Sequence, residues 1–275
     1  MTDLIYDIGM HQGEDSKFYL LKGFRVVAVE ADPDLCAAAE ERLRDYTATG
    51  QLTIVNRAIA PASGPVTFYR SERSGWSTVV DEMDKSNAAR GVRSKAMSVE
   101  AITLGDLVSR YGDAFYMKLD IEGMDRAALE SLAESTIRPR YLSIETSFSR
   151  EPTFAAAKAD FDALAKLGYD RFKIVDQRVV HKQVPPDPPA TGRYVPYRFV
   201  DGESGLFGEE TSGRWLTTNQ ALMAFRRMIW SKWIQVLLYR RMRLYLYYNA
   251  IIYRLSGRYP NLGWYDIHAK HSTVE

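Results

Sequence analysis

The amino-acid sequence predicts an α/β fold: a mostly parallel seven-stranded sheet with helices on both faces, followed by a helical C-terminal appendage. Two observations carry this prediction. Apolar, β-branched segments alternate with helical segments over residues 4–180, which is the rhythm of parallel strands joined by crossover helices. From Pro185 a proline-rich stretch leads into a region rich in Arg, Tyr and Trp. We therefore predict a domain at 1–184 and an appendage at 185–275.

The start of the domain predicts three strands and two helices. Short apolar or β-branched runs are typical of buried strands, and the predicted strands are 4–8, 25–29 and 52–55. Gly23 closes the first helical pattern, at 15–22, and Pro33 opens the second, at 34–46. Glycine after a helix and proline at its first turn are the expected punctuation.

The stretch 57–97 interrupts this rhythm. Prolines and glycine between 61 and 65 predict a hairpin, and 71–93 is predicted to be a long polar loop. Long loops in compact domains are often functional. Trp76 in this loop is therefore a candidate substrate residue.

The remaining elements return to the alternation of helix and strand. The predicted helices are 103–111, 125–134 and 153–167, and the predicted strands are 114–119, 140–145 and 172–180. We expect the seven strands of the sheet, with their intervening helices, to lie within the first 180 residues.

Composition narrows the class of protein. The 275 residues carry a net charge of +1 with 46% hydrophobic residues, which excludes a disordered chain. The single cysteine, Cys36, excludes an internal disulfide framework. The N-terminus lacks the basic and apolar regions of a secretory signal, and no uncharged apolar run is long enough for a membrane span. These features predict a cytoplasmic protein, and the charge gives no support for nucleic-acid binding.

The segment from Asp7 to Gly13 lies between the first strand and the first helix. Glycines there let the backbone turn tightly and approach a ligand, while the helix N-terminus offers free amide donors. The spacing is Gly-x-x-x-Gly, from Gly9 to Gly13. A pyrophosphate-binding Gly-x-Gly-x-x-Gly is absent, which argues against NAD or FAD.

Acidic residues follow two other strands. Glu30 stands seventeen residues after Gly13, where a carboxylate can accept hydrogen bonds from ribose hydroxyls. Alternation along the later strand puts Lys118, Asp120 and Glu122 on one side of the backbone. Since ligands bind at the carboxyl edge of such sheets, these groups are expected to face the same crevice as Gly9.

Together, Asp-Ile-Gly-x-x-x-Gly at 7–13, Val-Glu-Ala-Asp-Pro at 29–33 and Lys-Leu-Asp-Ile-Glu-Gly at 118–123 resemble the FkbM-type S-adenosylmethionine-dependent methyltransferases. The resemblance covers about residues 4–180 and implies the Rossmann-like fold of class I methyltransferases. One departure is His11, which stands where the family more often has asparagine.

The resemblance implies a residue set for S-adenosylmethionine. Asp7, Gly9 and Gly13 would line its methionine side, Glu30 would bind its ribose, and Asp120 would lie near the transferred methyl group. The full implied set is Asp7, Gly9, Met10, His11, Gly13, Glu30, Ala31, Asp32, Asn56 and Asp120, with Asp32 and Asn56 near the adenosine.

Methyl transfer to a hydroxyl needs in-line positioning and removal of a proton. The candidate bases are Asp120, Glu122 and Glu145, with Lys118 as their charge partner. The histidines are too scattered to predict a metal site, so a divalent metal is unsupported. Trp76, Glu145 and Trp215 are the candidate substrate residues, and loop 204–210 is predicted to close over the acceptor.

Three functions remain open at this point. The resemblance implies an O-methyltransferase acting on a hydroxyl of a sugar, glycan or related natural product. The alternative from another class is a catalytically idle scaffold that binds the cofactor or a partner. An N- or C-methyltransferase is a weaker third, because the Asn-Pro-Pro-Tyr signature of amino-methylating enzymes is absent.

The appendage has an unusual charge distribution. Between 221 and 260 lie eight Lys and Arg residues and no Asp or Glu, interleaved with Trp230, Trp233 and many tyrosines. The rest of the chain has 28 basic and 35 acidic residues. We therefore predict that this segment docks on an acidic surface: its own domain, a second copy in a homo-oligomer, or an anionic membrane bound peripherally.

Overall fold

The structure, a computed structural model, describes residues 3–121, 123–239, 241–256 and 264–274. Its strands are β1 Leu4–Ile8, β2 Arg25–Glu30, β3 Leu52–Asn56, β4 Ala58–Ile59, β5 Gly64–Ser71, β6 Ser94–Ile102, β7 Tyr116–Leu119, β8 Tyr141–Glu145, β9 Tyr169–Asp176 and β10 Tyr265–His271. Its helices are α1 Glu14–Leu21, α2 Pro33–Arg42, α3 Arg44–Ala48, α4 Asp81–Ala89, α5 Leu104–Tyr111, α6 Asp125–Leu132, α7 Phe154–Lys166, α8 Thr218–Tyr239 and α9 Met242–Ser256.

The main sheet has seven strands in the order β3-β2-β1-β7-β8-β10-β9. The described pairs are parallel except those of β10, which runs antiparallel to both β8 and β9. The predicted fold class is thereby confirmed. The strand order reverses between β1 and β7, and ligands bind at the carboxyl ends of the strands beside such a reversal.

The core lies on both faces of this sheet, because β1 is buried along its whole length. Alternate residues point to opposite faces. Tyr6 and Ile8 pack in a cluster with residues of α5, α6 and α7, whereas Ile5 packs with residues of α1 and α2. A continuous apolar run such as β1 is what a strand covered on both faces requires.

The seventh strand of the sheet differs from the prediction. The main sheet takes six strands from the first 180 residues and its seventh, β10, from the end of the chain. β10 lies between β8 and β9 and pairs with both. Assigning 265–271 to the appendage was therefore wrong. A short strand with four charged or imidazole side chains carries too weak an apolar pattern to reveal a partner so distant in sequence.

The stretch 57–97 also differs from its prediction. The predicted hairpin at 61–65 is wrong, because β4 and β5 on either side of this turn do not pair with each other: both pair with β6, in a separate three-stranded sheet of order β4-β6-β5. Within the predicted polar loop, residues 81–89 form α4. A helix that is polar all round gives no apolar periodicity, so the sequence pattern could not reveal it.

Residues 185–216, the first part of the predicted appendage, pack on the domain. Phe207 is fully buried and stacks on Tyr116 with ring centroids 4.9 Å apart. The Lys22 ammonium forms a buried ion pair with the Glu210 carboxylate at 2.9 Å. Residues 185–216 thus complete the α1 face of the core. Among the residues described, no helix combines the length and apolar character needed to cross a membrane.

Candidate active site

The switch point between β1 and β7 brings two backbone segments into close contact. Gly9 has φ +82°, and a Cβ at this position would lie 1.9 Å from the Asp120 carbonyl oxygen. The Asp120 amide donates to the Ile8 carbonyl at 3.0 Å, and the Gly9 amide donates to the Val29 carbonyl at 2.9 Å. Only glycine fits this turn, which opens the carboxyl edge of the sheet to a ligand.

Glu30 is held at the end of β2 by two backbone amides. Its Oε2 accepts from the His11 amide and its Oε1 from the Asp32 amide, both at 2.9 Å. Burial raises the pKa of Glu30, while these amide hydrogen bonds lower it. Each carboxylate oxygen keeps a lone pair for a further donor, such as a ribose hydroxyl.

His11 adopts φ 55°, the left-handed conformation that asparagine, aspartate and histidine tolerate better than other non-glycine residues. This explains why histidine can stand where the FkbM-type sequences more often have asparagine. Its Nε2 lies 2.8 Å from the Ser74 hydroxyl, and its Nδ1 lies 3.4 Å from a Glu14 oxygen. The hydrogen bond to Glu14 raises the pKa of His11.

A cleft opens beside this turn. Five of the ten predicted cofactor residues line it: Gly9, His11, Glu30, Ala31 and Asp120. The walls also include apolar side chains and a cation that sequence reasoning missed: Leu35, Arg57, Ile59, Phe68, Ile121 and Met124. A carboxylate beside apolar walls suits a nucleoside, whose ribose is polar and whose base is flat and apolar.

Three other predicted residues lie behind the cleft wall. Asp7 is fully buried and accepts from the Ser16 hydroxyl at 2.6 Å. Met10 belongs to the core on the α1 face. A Cβ on Gly13 would meet the Leu43 side chain at 2.7 Å. These residues shape the turn, and they are not among the residues that line this cleft.

Asp32 and Asn56 also support the cleft from behind. Asp32 accepts from the Asp34 amide at 2.9 Å and pairs with the Arg70 guanidinium at 2.7 Å, so its carboxylate caps α2. The Asn56 amide donates to the carbonyls of Glu30 and Ala31 at 3.0 and 3.1 Å. Both side chains fix the position of the Glu30 loop, and neither is among the residues that line the cleft.

Lys118 lies at the centre of a buried acidic cluster. Its Nζ is 3.0 Å from Asp15, 3.6 Å from Asp7 and 3.8 Å from Asp120. Burial opposes its charge, but these three carboxylates outweigh burial and raise the pKa of Lys118. The ammonium also donates to the Gly9 carbonyl at 3.4 Å. Of the described carboxylates predicted to have Lys118 as their charge partner, only Asp120 lies near it, and Glu145 pairs with Arg150 instead. Burial raises the pKa of Asp7 in spite of the nearby ammonium.

Sequence reasoning missed two carboxylates near this cluster. Asp15, in the first turn of α1, accepts from the amide and hydroxyl of Ser204 at 2.8 and 3.0 Å. Asp266 of β10 is buried, and its pKa is raised, first by burial and then by the charge of Asp120. Gln177 donates to Asp266 at 2.5 Å. Only the placement of β10 opposite β8 could have revealed Asp266.

A second cleft adjoins the first, and Gly75 lines both. Trp76 and Glu145, predicted as substrate residues from distant parts of the sequence, meet here, and Trp264 and Arg150 line the same space. The guanidinium of Arg73 lies 5.0 Å from the Trp76 ring centroid. Glu145 pairs with Arg150.

Trp215 does not reach either cleft. Its ring stacks on Tyr141, the first residue of β8, with centroids 6.0 Å apart. That is the amino edge of the sheet, opposite Asp120, so the prediction that Trp215 contacts the acceptor is wrong. The loop 204–210, which was expected to close over the acceptor, carries Phe207 into the core instead. Glu122, a predicted base, lies outside the described residues.

Within the described ranges, no group of three or more His, Cys, Asp or Glu side chains is arranged to hold a metal ion. The carboxylates of the buried cluster are instead gathered around the Lys118 ammonium. The geometry therefore indicates charge neutralisation by lysine at this edge of the sheet.

Comparison with known proteins gives a family. The family model described as methyltransferase FkbM domain matches residues 7–171, which is more than half of the chain. A search of curated proteins gives no match.

Solved structures with a similar fold include a methyltransferase FkbM from Methylobacillus flagellatus KT, at 17% identity and a TM-score of 0.39, covering 64% of this chain and 41% of that one. A SAM-dependent O-methyltransferase from Thermotoga maritima matches at 13% identity and a TM-score of 0.36, covering 63% and 47%. A methyltransferase from Podospora anserina with SAH bound matches at 12% identity and a TM-score of 0.37, covering 63% and 67%. This chain therefore spans less than half the length of the first two.

Proposed function

The chain belongs to the FkbM family of S-adenosylmethionine-dependent methyltransferases, and from this membership we propose that it is an O-methyltransferase for a hydroxyl of a sugar, a glycan or a related natural product. The observation that carries the proposal is a pair of adjoining clefts. One has the features of a nucleoside site, and the other has aromatic and charged walls. Methyl transfer needs two such spaces that meet at the reacting atoms.

The first cleft fits S-adenosylmethionine by its chemistry. The close approach of Gly9 to the Asp120 carbonyl leaves the turn without a side chain over the strand ends. Glu30 offers lone pairs to the ribose hydroxyls, and Phe68 and Leu35 offer apolar surface to the adenine. The bound cofactor supplies an electrophilic methyl group on a sulfonium.

The second cleft suits a hydroxylated acceptor. The rings of Trp76 and Trp264 offer flat apolar surfaces for the faces of a sugar ring. Glu145 and Arg150 offer an acceptor and donors for its hydroxyls. Because Gly75 borders both clefts, an acceptor held on Trp76 would be adjacent to the cofactor cleft.

A hydroxyl nucleophile must lose its proton to a base as the new bond forms. Asp120 has a side chain that is 31% exposed and lines the cofactor cleft, with Lys118 3.8 Å away. We assign it as the general base.

Cofactor binding can be measured without turnover, by calorimetric titration with S-adenosylhomocysteine. Glu30→Ala should weaken binding by about 1.5–3 kcal/mol, because hydrogen bonds to a charged group are lost. Glu30→Gln, which keeps an acceptor for one backbone amide, separates a binding loss from a collapsed loop. Glu40→Ala, at an exposed position of α2, is the matched control. Unchanged affinity in both Glu30 variants would refute the cofactor assignment.

Catalysis is tested with a radiolabelled methyl donor and a panel of sugars and glycans, with the methyl position in the product assigned by NMR. Asp120→Asn should bind S-adenosylhomocysteine normally but lose about 10²–10⁴-fold in turnover. Full turnover would exclude Asp120 as the base. A protein that binds the cofactor and methylates no member of the panel would favour the idle scaffold, and an N- or C-methylated product would refute O-methylation.

A further inference from the structure

The helices α8 and α9 form an antiparallel hairpin whose interior is polar. The Ser231 and Tyr248 hydroxyls lie 2.8 Å apart, and the Gln235 amide donates to the Asn249 carbonyl oxygen at 2.9 Å. Among the described side chains between 226 and 255, only Gln235 is buried. Two hydrogen bonds between side chains thus link the two helices, and the hairpin has no fully buried apolar side chain among those described between 226 and 255.

The outer surface of this hairpin is apolar and aromatic. Of the seventeen large hydrophobic side chains that the structure describes as exposed, twelve lie between 230 and 255. Trp230 is 72% exposed, Tyr247 70% and Leu255 80%. A helix on a protein surface normally turns such residues inward. A contiguous exposed apolar surface of this kind marks a binding site.

The described arginines of the hairpin have no carboxylate partner among the described residues. The sequence has no Asp or Glu from 211 to 265. Five arginines of the hairpin are described: Arg226, Arg227, Arg241, Arg243 and Arg254. None of them forms an ion pair with a described carboxylate. The described arginines therefore do not dock on their own domain through ion pairs. These exposed cations are available to an anionic partner from outside the chain.

The base of the hairpin is nevertheless fixed to the domain. Ala221 and Phe225, in the first two turns of α8, are fully buried. The Phe225 ring lies 4.9 Å from that of Phe148 and 5.7 Å from that of Phe161. The hairpin is thus anchored at its base, and its apolar outer surface begins about one turn beyond Phe225.

We propose that the α8–α9 hairpin binds the interface of an anionic lipid bilayer. Tryptophan, tyrosine and aliphatic side chains mixed with arginine are the composition of helices that lie at the headgroup level. Because the domain buries only the base of the hairpin, the outer surface beyond Phe225 is open to such an interface. A two-fold contact through this face would bring two equally basic surfaces together, which disfavours a second copy as the occupant.

The test is co-sedimentation of the full chain with vesicles of phosphatidylcholine and phosphatidylglycerol, compared with vesicles of phosphatidylcholine alone. We expect binding to the mixed vesicles that weakens as salt is raised. Replacing Arg241, Arg243 and Arg254 by serine should weaken binding by about fivefold per residue, or roughly 100-fold in total. Replacing Trp230 and Trp233 by serine should also reduce binding and leave the thermal unfolding midpoint unchanged.

A matched control replaces exposed residues outside the hairpin, Tyr194 and Val200, by serine, and it should bind vesicles like the unmodified chain. Three results would overturn the proposal: no sedimentation with mixed vesicles at low salt, equal binding to neutral vesicles, or an arginine variant that binds as before. A dimer in analytical ultracentrifugation that the tryptophan variant abolishes, without vesicle binding, would instead assign the surface to a second copy.

Discussion

Replacing Gly9 by alanine tests the central contact of the candidate site. A Cβ there would lie 1.9 Å from the Asp120 carbonyl oxygen and 2.9 Å from its carbon, and φ is +82°. The neighbour is backbone, so no side chain can rotate away. The end of β1 must therefore separate from the end of β7, where the Asp120 amide donates to the Ile8 carbonyl at 3.0 Å.

The size of the effect follows from two contributions. A non-glycine residue in the left-handed region costs about 1–2 kcal/mol. Overlap in a packed site that must be relieved by backbone shifts adds about 1–3 kcal/mol. We therefore expect Gly9→Ala to lower the free energy of unfolding by about 2–5 kcal/mol. Because Asp120 lines the cofactor cleft, affinity for S-adenosylhomocysteine should also fall at least about tenfold.

Gly50→Ala provides a matched control, because Gly50 has φ +75° and a Cβ added there would meet nothing within 4 Å. It should cost only the left-handed contribution, about 1–2 kcal/mol, and leave affinity unchanged. Urea unfolding and calorimetric titration measure both quantities. If the two variants lose the same stability within about 0.5 kcal/mol, or if Gly9→Ala binds the ligand normally, the close approach does not constrain the site.

Three further predictions concern the buried charges and the extent of the domain. Lys118→Met should cost about 3–5 kcal/mol in urea unfolding, because it leaves buried carboxylates without their cation; a loss under about 1 kcal/mol would contradict the cluster's dependence on it. Burial, with a smaller effect of the Lys173 charge, lowers the pKa of His268 to about 3. The unfolded chain protonates this imidazole near about pH 6.5, whereas the folded chain protonates it only near pH 3. As pH drops from about 6.5 towards 3, the free energy of unfolding should therefore fall by up to about 1.4 kcal/mol per pH unit because of His268. His268→Phe should flatten that slope, and an unchanged slope would contradict the neutral buried state. A chain truncated to 1–184 should show no cooperative unfolding transition in circular dichroism, because it lacks β10 and Phe207. A cooperative transition would instead support the domain boundary at residue 184 that the sequence predicts.

The parts of the site predicted from sequence are those that short-range chemistry determines. The glycine turn, Glu30 and Asp120 each follow directly on a strong apolar strand, and the carboxyl ends of parallel strands meet at one edge. Their meeting in one cleft is confirmed by the lining residues. Single side-chain contacts, such as that of Asp32 with Arg70, decide which residues face the cleft and which support its wall from behind. No local sequence pattern predicts such contacts.

The long-range features could not be predicted in this way. β10 joins the sheet only after the hairpin, and its antiparallel insertion places Asp266 opposite Glu145. A pattern of alternating residues predicts that a strand exists, but it does not predict its neighbours. Trp215 illustrates a position that the sequence predicted incorrectly. Because it lies close to a glycine-rich loop, we expected it at the acceptor site, but it stacks on Tyr141 at the amino edge of the sheet.

The position of the hairpin in the chain links the two proposals. Leu216, just before α8, exchanges two backbone hydrogen bonds of 2.8 Å with Phe172 of β9. Tyr265, where the described chain resumes in β10, pairs with Asp176 at the other end of the same strand. The chain thus pairs with β9 just before the hairpin, through Leu216, and again after it, through β10. Trp264 immediately precedes β10 and lines the second cleft. The proposed membrane-binding segment therefore lies in the chain between the strand residue that pairs with Leu216 and the strand that carries Asp266.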